Sequence, residues 1–119
     1  MENNSTAIRL RIYISSTDKI DNSLLSEQLV YQAREYGLSG ATVLKGIIGY
    51  GASSVIHSYK FWEVSEKVPV VVEIVDEESK VLSFYNSIKP ILESMRYGCL
   101  VTTEPVAVLY HKTGEKKFL

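Results

Sequence analysis

The densest chemical signal in the chain is Gly46-Ile47-Ile48-Gly49-Tyr50-Gly51-Ala52-Ser53-Ser54, with three glycines in six residues at the end of a strand-like segment. Glycine there permits unusual backbone angles and lets a ligand approach the main chain closely. Backbone N–H groups of such a run can hold an anion, as a nest does, and Ser53 and Ser54 would add hydroxyl donors. The order is GxxGxG, which is neither a Walker A loop nor the dinucleotide GxGxxG. The same residues read equally as a bulged strand end turning into a loop. Tyr50 could stack on a base, and His57 follows closely. Arg96 is a guanidinium suited to binding two phosphate oxygens at once.

Other reactive residue types are sparse. His57 and His111 are 54 positions apart and form no metal-spaced pair, and the single cysteine, Cys99, supplies neither a disulfide nor a cysteine-type zinc site alone. Cys99 reads as a buried, inert thiol at the start of a strand. Arg9, Arg11 and Glu73 read as an ion-pair group on one sheet face. No Ser-His-Asp arrangement is legible, so catalysis has no positive support and no metal is expected.

Thirteen basic against 14 acidic residues leave a net charge of −1 across 119 residues, a poor match to nucleic acid. Hydrophobic residues at 45% fit one globular domain, 1–119, with a polar, basic, mobile tail over 111–119 whose Phe118 and Leu119 could dock. The polar start and the lack of a long apolar run predict a cytoplasmic protein.

The elements that must position these residues follow from periodicity. Residues 7–15 alternate, with Ile8, Leu10, Ile12 and Ile14 opposite Arg9, Arg11 and Tyr13, and predict a strand. Residues 17–22 read as loop. The spacing of Leu25, Leu29, Ala33 and Tyr36 predicts a helix over 23–36, capped by Asn22 or Ser23 and stopped by Gly37. Strands are predicted over 41–50 and 68–75. Asp76-Glu77-Glu78 opens a second helix whose stripe, Val81, Tyr85, Ile88, Leu92 and Met95, runs toward Gly98 and keeps phase across a bend at Pro90. Two short strands, 100–103 and 106–110, flank Glu104-Pro105. The connection over 50–67 is long for a compact domain, its centre alternates around Trp62, and loops of that length are commonly functional.

Strand, helix, strand, strand, helix, strand is the ferredoxin-like α+β pattern, βαββαβ, with both helices on one face of an antiparallel sheet. The other face would carry Tyr13, Val71 and Val75, which asks for an oligomer that stacks sheets.

Arg9-Leu10-Arg11-Ile12-Tyr13-Ile14, residues 37–57 with their Gly-Ala-Thr-Val-Leu-Lys-Gly-Ile-Ile-Gly-Tyr-Gly run, and Pro69-Val70-Val71-Val72-Glu73-Ile74-Val75-Asp76 together resemble an uncharacterised bacterial and archaeal family of PII-like proteins. The resemblance spans about 7–109. It implies a homotrimer with the sheets at its centre. It implies a signalling role in which a nucleotide binds between subunits and the long loop, here 50–67, meets a partner protein. Some family members are encoded near fluoride channels, which implies a membrane transporter or channel as that partner. On this reading the ligand site holds Gly46, Gly49, Tyr50, Gly51, Ser53, Ser54, His57, Arg96 and Gly98. The chain lacks a tyrosine in the PII uridylylation context. Met95-Arg96-Tyr97-Gly98-Cys99 stands where PII proteins carry a glycine- and lysine-rich ATP loop. ATP and 2-oxoglutarate sensing therefore does not carry over, and a smaller nucleotide such as AMP or a cyclic nucleotide fits better. The alternatives are a metal-linked trimer of the divalent-cation tolerance type, short of His and Cys here, and a small hydrolase, whose acylphosphatase-like phosphate cradle is missing. An RNA-binding version would need aromatics where Val70, Val71 and Val72 stand.

Overall fold

Residues Ser5–Ser15 form strand β1 in the computed structural model, which describes residues 1–51, 56–58 and 67–115. The alternation acts as its chemistry requires. Ile8, Leu10, Ile12 and Ile14 are buried, while Arg9, Arg11 and Tyr13 occupy the opposite face.

Residues 17–22 are not a plain loop. Lys19–Ile20 (β2) and Ser23–Leu24 (β3) pair as a tight hairpin around Asp21 and Asn22, with φ values of 50° and 67°. Two adjacent residues at positive φ make the turn whose twist suits a two-residue hairpin, and Asp and Asn tolerate it best after glycine. This pairing displaces the expected helix start. Helix α1 runs over Leu25–Glu35, and extended Leu24 at its N-cap offers no side-chain hydrogen bond, so neither Asn22 nor Ser23 caps it. The Gln28 side-chain amide donates to the Ile20 carbonyl at 2.8 Å and ties the hairpin to the helix instead. At the other end Gly37 has φ 85°, and the N–H groups of Gly37 and Leu38 donate to Arg34 and Ala33, each at 3.1 Å. That is the glycine-dependent stop the sequence predicts.

The strand expected over 41–50 divides in two. Thr42–Lys45 (β4) joins the main sheet, and Ile48–Gly49 (β5) pairs with His57–Ser58 (β6) in a separate ribbon. The division falls at Gly46, whose N–H donates to the Pro69 carbonyl at 2.8 Å. Proline has no N–H to continue the ladder beyond that point.

Strand β7 (Pro69–Asp76) lies between β4 and β1, and helix α2 (Glu78–Glu93) follows it. The buried stripe of α2 is Val81, Phe84, Ile88 and Leu92; Tyr85 and Met95 are half-buried beside it. Pro90 is exposed and the helix is continuous through it, ending five residues short of Gly98. The last strand, β8 (Leu100–Val108), is single. Glu104-Pro105 does not interrupt it, because β8 is an edge strand where a missing N–H is tolerated.

The sheet order is β4-β7-β1-β8, antiparallel throughout. The core forms between one sheet face and the two helices, with Leu10, Ile12, Leu25, Leu29, Val72, Val81, Phe84 and Ile88 fully buried. The architecture is the expected ferredoxin-like α+β fold. Beyond β8 the described part of the tail, 109–115, has no regular structure, and the His111 N–H donates to Asn3 Oδ1 at 2.7 Å. Phe118 and Leu119 lie outside the described residues, as does Trp62. Among the described residues no helix is long and apolar enough to cross a membrane.

Candidate functional site

Antiparallel register brings four distant pieces of chain to one end of the sheet. Ser15 is opposite Pro69 and Tyr13 opposite Leu100. The chain leaving β4 passes over Pro69 through Gly46. The end of β1, the starts of β7 and β8 and the β5 segment therefore converge. Between them lies a cleft of about 550 Å³, lined by Tyr13, Asp18, Gly49, Tyr50, Gly51, Lys67, Pro69, Tyr97, Gly98, Cys99 and Leu100, with Ile14 and Ser15 beneath.

Of the residues proposed from sequence, Gly49, Tyr50, Gly51 and Gly98 line this cleft. Arg96 is adjacent, its guanidinium 5.3 Å from the centre of the Tyr97 ring. His57 is placed by its backbone opposite Gly49 in the β5–β6 ribbon. Ser53 and Ser54 lie outside the described residues. Gly46 stands apart from the cleft residues. Its N–H is taken by Pro69, and it does not line the cleft. A Cβ there would stand 2.9 Å from Pro69 Cγ, and one on Gly49 would stand 3.2 Å from the same atom. Neither these two glycines nor Gly51 has a positive φ. Gly46 and Gly49 serve close packing against Pro69, not unusual backbone angles.

Tyr13, Asp18, Lys67, Tyr97 and Cys99 join the site although nothing in the sequence pattern marks them for it. Tyr97 holds two cations near its face, with Lys67 Nζ at 5.2 Å and Arg96 at 5.3 Å from the ring centre. Among the described residues, three exposed tyrosines, two flanking cations and one carboxylate offer stacking surfaces together with charge for an anion. The reading of Cys99 is corrected. It is exposed at the cleft wall, not buried. Partial burial and, secondarily, the charge of Asp18 push its thiol pKa up, so it is a poor nucleophile near neutral pH.

The sheet face opposite the helices carries a separate charge group. Arg11 Nε donates to Glu73 at 3.0 Å, and Arg9 Nη1 to Glu104 at 2.8 Å, while Arg11 Nη1 stands 3.2 Å from Glu104. The hydrogen bond to Glu73, ahead of the charge of Glu104, raises the Arg11 pKa further. Glu104 joins the expected ion pairs because register places it beside Arg9. On the same face Leu44, Val71, Tyr13 and Leu100 are successive cross-strand partners, so an apolar row crosses all four strands and reaches the cleft. Among the described residues no group of three His, Cys, Asp or Glu is arranged to hold a metal.

Comparison with known proteins places these features. The DUF190 family model, described as "Uncharacterized ACR", matches residues 7–108. A UPF0166 protein of Aquifex aeolicus is 38% identical over 101 residues, covering 85% of this chain and 91% of the relative. A UPF0166 protein of Methanocaldococcus jannaschii is 36% identical over 72 residues, covering 60% of this chain and 66% of the relative. Among solved structures, the chain is similar to CPII from Thiomonas intermedia, a nitrogen regulatory PII-like protein bound to ADP, AMP and bicarbonate. The TM-score is 0.62 at 14% identity, over 87% of this chain and 90% of that one. A protein described as PII-like from Thermus thermophilus gives a TM-score of 0.64 at 15% identity, over 91% and 94% of the two chains. These structural likenesses establish a PII-like fold.

Proposed function

The chain belongs to the uncharacterised DUF190 family, and from that membership and its PII-like fold we propose that it is a non-enzymatic signalling protein that binds a small adenine nucleotide. The observation that carries this reading is the cleft at the sheet end. Tyr13, Tyr50 and Tyr97 line it with Lys67, and Arg96 stands beside Tyr97. Aromatic faces accept a base, and a guanidinium with an ammonium accepts a phosphate. Two cations suit a monophosphate such as AMP, or a cyclic nucleotide, better than a triphosphate. The ligand seen with CPII, AMP among others, supports an adenine nucleotide.

The protein acts as a homotrimer on this reading. The apolar row through Leu44, Val71, Tyr13 and Leu100 is open on one protomer, and stacked sheets would cover it and close the cleft. Residues 50–67 begin and end at the cleft, with Tyr50 and Lys67 in its lining, so occupancy would act on that segment. A partner protein, of the transporter or channel kind, would read the change, and the protomer itself would stay in the cytoplasm. A thermal-shift screen of nucleotides tests the reading. A true ligand at one hundred times its Kd adds about 2.7 kcal/mol of stability. No shift with any adenine nucleotide would contradict it.

A further inference from the structure

Among the described residues the cleft holds one carboxylate, that of Asp18, and its setting is unusual for a turn residue. Asp18 is only 8% exposed yet lines the cavity. Its Oδ2 accepts the Ser15 N–H at 2.8 Å. Its own N–H donates to the Ser15 carbonyl at 3.1 Å, and its carbonyl accepts the Leu25 N–H at 2.8 Å. The residue is thus fixed from three directions. Among the described residues it has no salt-bridge partner. A carboxylate has about four acceptor sites, and one N–H occupies only one of them. No hydrogen bond to Oδ1 is made among the described residues, and that oxygen is not closed off from solvent, so it is open to a donor on a ligand.

We propose that Asp18 is the specificity-determining residue of the cleft, accepting hydrogen bonds from the ribose 2′- and 3′-hydroxyls of the bound nucleotide; this rests on the nucleotide reading above. A phosphate is excluded from the same position because two anions repel, which leaves it to Lys67 and Arg96. Vicinal hydroxyls present two neutral donors to two carboxylate oxygens, and ribose hydroxyls are met by carboxylates in this way in other folds. A site built around such a bond rejects analogues that lack the donor, because an acceptor covered by the ligand is then left unpaired.

The experiment is calorimetric titration of the full chain with AMP, 2′-deoxy-AMP and 3′-deoxy-AMP, repeated with Asp18→Asn, which keeps an oxygen for the Ser15 N–H. The parent protein should bind at least one deoxy analogue tenfold or more weakly than AMP. In Asp18→Asn that ratio should fall below threefold. If Asp18→Asn fails to fold, Asp18→Ser takes its place with the same expected collapse. Equal affinity of the parent for all three nucleotides, or an unchanged ratio in a folded variant, overturns the assignment while leaving the nucleotide site standing. Absence of binding by every adenine nucleotide overturns both together.

Discussion

Gly46 and Pro69 meet where the main sheet stops: the glycine N–H donates to the proline carbonyl at 2.8 Å, and a Cβ on Gly46 would lie 2.9 Å from Pro69 Cγ. The contact bends the chain out of β4 and delivers Gly49, Tyr50 and Gly51 to the cleft. It explains the first two glycines of the run without any ligand.

Gly46→Ala should therefore destabilise the protein by about 1–3 kcal/mol, the usual cost of overpacking. Gly51 has open space around its Cβ position and no positive φ. Gly51→Ala should stay within about 0.5 kcal/mol of the parent. Urea unfolding of the two variants checks the contrast, and equal stability would remove the packing account.

Cys99 should titrate above an ordinary thiol. Burial is the larger cause and the Asp18 charge the smaller. Because its folded pKa is raised, the thiol contributes stability that is complete below the ordinary thiol pKa of about 8.5 and is lost as pH rises through the folded value. The rate of iodoacetamide alkylation, followed against pH, should show a midpoint above that ordinary value. Asp18→Asn should lower the midpoint only in part. A midpoint at or below the ordinary value would contradict the described environment.

The open sheet face should form the subunit contact. Val71 is at the centre of the apolar row, between Leu44 and Tyr13. Light scattering on the parent protein should give three times the 13.4 kDa protomer mass. Val71→Lys places a charge in that contact and should lower the mass while the circular dichroism of the helices persists. A parent protein that stays monomeric at micromolar concentration would refute the trimer.

Much of the fold is legible in the sequence because its causes are local. Alternation from Ile8 to Ile14 and the Leu25, Leu29, Ala33 stripe each report burial within one element, and Gly37 reports a single backbone angle. Phe84 is hidden by its neighbour, because a stripe on α2 can be traced equally through Tyr85, one residue further on. The Asp21-Asn22 turn is also local, but the two-residue strands beside it carry too little pattern to announce a hairpin. Pro105 misleads because a proline breaks a ladder only where its N–H is required, and edge position is a property of the whole sheet. The cleft is half legible for the same reason. The glycine run, Gly98 and Arg96 stand out by type. Tyr13, Lys67 and Cys99 become neighbours only through the register of β1 with β7 and β8.

The central claim is that an adenine nucleotide occupies this cleft with its phosphate on Lys67 and Arg96. Calorimetric titration of AMP into the parent protein, Lys67→Ala and Arg96→Ala tests it most directly. Saturable binding by the parent, weakened tenfold or more in each folded variant (about 1.4 kcal/mol), is the result the account predicts. No binding to the parent, or parent-like affinity in both variants, would contradict it.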